Sequence, residues 1–93
     1  LITYSDIMRI YKKIRAMNAK AFFTLKGTRY RLVIDRYIHA RDPEDRRVSW
    51  TQAFGSKLPH DVLNTYEVVN VRILSKEREL DFKDLKEFLK WIS

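Results

Sequence analysis

Residues 20 to 38, KAFFTLKGTRYRLVIDRYI, constrain the fold more than any other stretch, because apolar and polar side chains alternate on both sides of Gly27. A period of two marks a strand with one buried face. Gly27 can take the positive φ required at the first central position of a type II′ turn, with Thr28 after it. The segment therefore predicts a hairpin of Lys20 to Lys26 and Arg29 to about Ile38. With Lys26 opposite Arg29, Leu25 meets Tyr30, Phe23 meets Leu32 and Ala21 meets Ile34 on the core face. Phe22, Thr24, Lys26, Arg29, Arg31 and Val33 gather on the other.

Amphipathic segments stand at both ends of the chain. Ile7, Ile10, Tyr11, Ile14 and Met17 recur at helical spacing, and Ser5 is placed to cap a helix from about Asp6 to Asn18. Arg9, Lys12, Lys13 and Ala16 make its outward stripe, which Lys20 extends. Near the other end Asp81 is expected to cap a helix that buries Phe82, Leu85, Phe88, Leu89 and Ile92.

Between them, Asp42 and Pro43 suit the first two positions of a type I turn. A strand from Arg46 to Phe54 should follow. With a four-residue loop, Arg41 opposes Arg46, His39 opposes Val48 and Tyr37 opposes Trp50. Residues 55 to 64 read as a loop holding one helical turn from Pro59 to Leu63, and 65 to 75 as a strand with Val69, Val71 and Ile73 on one face.

The element order α-β-β-β-β-α predicts an α+β fold: one two-layer domain over residues 1–93, with an antiparallel three- to four-stranded sheet and the N- and C-terminal helices on one face. The other sheet face should be open, or partly covered by residues 55 to 65. Phe22, Val33, Tyr37 and Trp50 would lie there beside Lys26, Arg29 and Arg31. They form either a platform on which bases stack or a second small core beneath that loop, and the second core is weighted higher.

At 45% hydrophobic and 13% aromatic residues, the chain can fill a core. It has no cysteine, which excludes disulfides and thiolate metal sites and favours an intracellular, cytoplasmic location. No apolar run approaches the ~18 to 20 residues that span a bilayer, so no membrane association is expected. The first residue is Leu1 rather than methionine, so tag removal, processing or a fragment boundary is expected to have fixed the start, with residues missing upstream.

The net charge of +7 is unevenly placed. Residues 1 to 47 hold 12 Lys or Arg against 5 Asp or Glu, whereas residues 48 to 93 hold 7 of each. From Ile7 to Tyr37 nine basic residues face the single acid Asp35. A field of that kind attracts polyanions. The expected function is non-enzymatic nucleic-acid binding, to DNA or RNA, through the first helix and first hairpin: Arg9, Lys12, Lys13, Lys26, Arg29 and Arg31. An acidic protein surface rewards the same cations, so a protein-interaction or inhibitor domain is the alternative.

Enzymatic readings have less to stand on. His39 and His60 could act as acid and base of a metal-independent ribonuclease, with Arg36 or Arg41 on the phosphate. Nothing in the sequence brings the two imidazoles together, so no catalytic residue is assigned. No His or Cys pair has metal-ligand spacing, and Gly27 and Gly55 are too few for a phosphate loop. No cofactor or metal is expected.

Overall fold

All 93 residues are described by the structure, a computed structural model. Its elements run α1 (Tyr4–Ala16), β1 (Lys20–Lys26), β2 (Arg31–Ile34), β3 (Ile38–Arg41), β4 (Arg47–Val48), α2 (Trp50–Phe54), α3 (Pro59–Thr65), β5 (Glu67–Leu74), β6 (Glu79–Phe82) and α4 (Leu85–Ile92). The six strands form one antiparallel sheet in the order β4-β3-β2-β1-β5-β6. The α+β class is as expected, with more strands and two more helices than the sequence suggested.

The first hairpin has the expected register, pairing Ala21 with Ile34 and Phe23 with Leu32. Its turn is longer than two residues. The Thr28 hydroxyl accepts from the Tyr30 N–H at 3.3 Å, and β2 starts only at Arg31. Gly27 keeps the positive φ the turn needs, at 100°. Residues 29 to 38 are not one strand either. The Asp35 carboxylate accepts from the Tyr37 N–H at 3.0 Å, the chain reverses at Arg36, and Ile38 returns opposite Ile34.

Caps set the helix boundaries. Thr3, not Ser5, begins α1: its hydroxyl accepts from the Asp6 N–H, and the Asp6 carboxylate accepts from the Thr3 N–H at 2.8 Å. Those two Thr3 interactions hold the Asp6 carboxyl below its ordinary range. Asp84, not Asp81, caps α4 through the Glu87 N–H at 2.8 Å, which leaves Glu79 to Phe82 free to be the edge strand β6. Ser49 caps α2 in the same way, so the expected strand from Arg46 to Phe54 stops after Val48. Pro59 opens α3, which runs on to Thr65.

One sheet face carries the core. Ile7, Ile10 and Ile14 of α1, Phe54 of α2, Val62 and Leu63 of α3, and Phe88 and Ile92 of α4 pack with Ala21, Phe23, Leu25, Leu32, Ile34, Ala40, Val71 and Ile73. Phe23 meets Phe88 edge-on, ring centroids 5.4 Å apart. In β5 the inward pattern slips at a bulge: Thr24 pairs with Asn70 but Leu25 with Val68, leaving Val69 as the extra residue. Val68 is therefore buried on the side of Val71 and Ile73 and Val69 is exposed, although strict alternation puts Val69 on the same face as Val71 and Ile73.

Candidate nucleic-acid interface

The helices all pack on the core face, leaving the opposite face of the sheet open. Residues 55 to 65 do not cover it, because Val62 and Leu63 belong to the core. Trp50 is on the core side too. Its ring packs at a tilt against Phe54, centroids 4.9 Å apart, and its indole N–H donates to the Lys57 carbonyl at 2.7 Å. The expected aromatic platform thus loses Trp50, Val33 is fully buried beneath it, and half-buried Phe22 and exposed Tyr37 remain.

The loop from Asp42 to Arg46 determines what replaces it. Buried Asp42 organises this loop, its carboxylate accepting from the N–H groups of Glu44 at 3.0 Å and Arg46 at 2.9 Å and from Arg46 Nε at 2.8 Å. The Arg46 N–H leads the interactions that keep the Asp42 carboxyl below its usual range, against the effect of desolvation. Asp45 adopts a left-handed backbone, φ 65°, and adds a fifth residue to the loop. Arg41 consequently opposes Arg47 rather than Arg46, and Val48 pairs with Ala40 on the core side rather than with His39.

That one-residue shift brings Arg47 to the open face. Arg31 is paired with Arg41 and Arg41 with Arg47, so three arginines stand in one row across β2, β3 and β4. Neighbouring strands lie about 4.8 Å apart, and like charges directly opposite one another destabilise a sheet. A single carboxylate lies among them: Asp45 contacts Arg31 at 2.6 Å and Arg41 at 3.3 Å. Arg47 has no carboxylate partner, and its guanidinium lies 5.5 Å from the ring centre of exposed Tyr37. Arg31 lies similarly over Phe22, at 5.2 Å.

Beneath these side chains is a small buried layer. Val33 and His39 face each other across β2 and β3, both shielded from water. Burial, the strongest influence, pushes the His39 imidazole below its ordinary value; nearby Asp35 opposes this and Arg47 and Arg41 reinforce it. Because an ionised carboxylate only accepts, Nε2 is the donor to Asp35 at 3.4 Å, and Nδ1 is left unpartnered. Desolvation acts against ionisation of Asp35, yet the Tyr37 N–H and His39 hold its carboxyl below the usual range. His60 lies on α3 in the other layer, next to Asp61. The sheet separates the two imidazoles, so they cannot share one scissile bond.

The six residues expected to bind fall into two groups. Arg31 belongs to the arginine row, and Lys26 and Arg29 stand exposed at the β1–β2 end of the same sheet. Arg9, Lys12 and Lys13 are exposed on α1, across the sheet from Arg31, and Arg9 is engaged by Asp6 at 3.4 Å. Arg47 was not among the residues expected to bind, and Arg41 entered only beside a possible ribonuclease centre, because their alignment with Arg31 depends on loop length. On the other half of the open face Arg72 is paired with Glu79, and Asp81 lies opposite it, so the arginine row has no counterpart on β5 and β6. Compared with family models, with curated proteins and with solved structures, the chain shows no match.

Proposed function

We propose that this chain is a small non-enzymatic nucleic-acid-binding domain whose contact surface is the β4-β3-β2 half of its open sheet face. The observation that carries this reading is the row Arg31, Arg41 and Arg47, three cations on consecutive strands of which only the first two meet a carboxylate, that of Asp45. Such a row costs stability unless an anion shares it. Phosphates supply that anion, and the exposed Tyr37 ring beside Arg47 supplies a surface on which a base can stack. Lys26 and Arg29 extend the field toward the first turn.

Binding of labelled single-stranded and duplex DNA and RNA, measured across a salt series, tests the proposal. Affinity for a single strand should fall with a log–log slope of about −0.7 for each phosphate neutralised. Arg47→Glu should weaken binding at every sequence, because phosphate contacts position a strand without reading it. Reversal of Lys86 and Lys90 on α4 should have a smaller effect. An equal loss from the α4 pair would remove the open face from consideration, and a larger loss from reversing Lys12 and Lys13 would move the surface to α1. No binding to any of the four nucleic acids would leave the acidic-protein partner as the reading to pursue.

A further inference from the structure

We infer that Arg31 and Arg41 form a phosphate subsite, and that the chain's own Asp45 occupies it until a ligand phosphate displaces the carboxylate. The inference rests on the nucleic-acid reading for the source of the phosphate, while the subsite itself rests on geometry. Two guanidinium groups converge on one carboxylate, at 2.6 Å and 3.3 Å. The arginine side chains are only 26% and 22% exposed, whereas that of Asp45 is 57% exposed. The cations are thus fixed and the anion lies toward solvent.

The pairing also leaves donors unused. Arg41 Nε is buried without a hydrogen-bond partner, although Nη1 of the same guanidinium reaches both the Asp45 carboxylate and its backbone carbonyl. A carboxylate offers two oxygens to two forked donors, whereas a phosphate offers more acceptor oxygens and matches guanidinium geometry. Beside Asp45 the surface sinks into a depression of about 370 Å³, lined by Phe22, Arg31, Pro43, Asp45, Arg72 and Leu74. Its size is within the ~300 to 1,000 Å³ range of small-ligand sites, and Phe22 gives it a ring beside the phosphate position. A nucleotide phosphate on Arg31 and Arg41 could therefore direct its sugar and base toward Phe22.

Asp45→Asn isolates the idea. Asn has the same shape and accepts a left-handed backbone, so the loop conformation at φ 65° is retained while the charge is removed. Glu44→Gln is the control: it removes the same charge one residue away from a side chain that contacts Arg46, not Arg31 or Arg41. Two probes separate the possible phosphate sources, a ten-nucleotide single strand followed by fluorescence anisotropy and inorganic pyrophosphate followed through the arginine side-chain NMR signals. Asp45→Asn should bind both probes about two- to fivefold more tightly than the parent, the fold-change expected when a competing exposed ion pair is removed. Adding Arg31→Gln should abolish that gain, and Glu44→Gln should give little of it.

A gain with pyrophosphate at Arg31 and Arg41, but no oligonucleotide binding by any variant, keeps the subsite and rejects the nucleic-acid reading. Oligonucleotide binding by the parent with no improvement in Asp45→Asn overturns the subsite and leaves the wider reading intact. An equal gain from Glu44→Gln also overturns it, since net charge alone would then account for the effect.

Discussion

Leu32 shows how directly one residue reports on the core. It is fully buried opposite Phe23, and Leu32→Ala should cost about 2 to 5 kcal/mol in urea unfolding by removing contacts and leaving a cavity. An unchanged midpoint would contradict the pairing. His39 makes the opposite kind of report, through pH. Its folded-state pKa lies below the ordinary 6.5, so the unfolded chain takes up a proton that the native chain refuses. Stability should fall as pH drops from 6.5 toward the folded value, and His39→Gln should flatten that part of the profile in unfolding measurements at pH 7.5 and 5.5. Asp35 has a depressed carboxyl, so its contribution is present above 3.8 and is lost as pH falls through its folded value.

Among the elements, the first hairpin and the bulged β5 make contrasting predictions. Gly27 has a φ of 100°, and a Cβ there would stand 3.5 Å from the Tyr66 ring. The space is ordinary but the backbone is not, so Gly27→Ala should destabilise by about 1 kcal/mol or more, through conformational strain rather than a clash. In β5, Val69→Thr should lie within about 0.5 kcal/mol of the parent because the side chain is already exposed, whereas Val68→Ala should be clearly destabilising. Equal losses at the two positions would mean that the bulge is absent. Sequence alternation alone placed Val69 on the face of Val71 and Ile73, since a strict period of two has no provision for an inserted residue.

The whole molecule separates its chemistry by layer. The α1 cations, the arginine row and the two histidines do not share a surface, because the sheet and its core lie between α1 with His60 on one side and Arg31 with His39 on the other. A purified sample should accordingly leave labelled RNA and DNA intact, with or without divalent metal, and the His39→Ala, His60→Ala double variant should be as inert as the parent. General acid and base groups typically contribute about 10² to 10⁴ in rate, so cleavage that disappears in the double variant would be plain on a gel and would restore the ribonuclease reading.

By itself the sequence determined the α+β class, the register of the first hairpin, the helical stripes of Ile7, Ile10, Ile14, Phe88 and Ile92, and the concentration of positive charge before residue 48. These are local: each follows from a period of two or 3.6, or from a count. Tertiary structure alone decided where that charge points. The fifth residue of the Asp42–Arg46 loop, held by buried Asp42 and the left-handed Asp45, turns Arg47 outward beside Arg41 and sends Val48 into the core. Ser49 and Asp84 similarly set helix starts that hydrophobic pattern did not mark. The reason is geometric. A side chain in a strand changes face with every residue added to the loop before it, and loop length is set by hydrogen bonds and packing that periodicity does not encode.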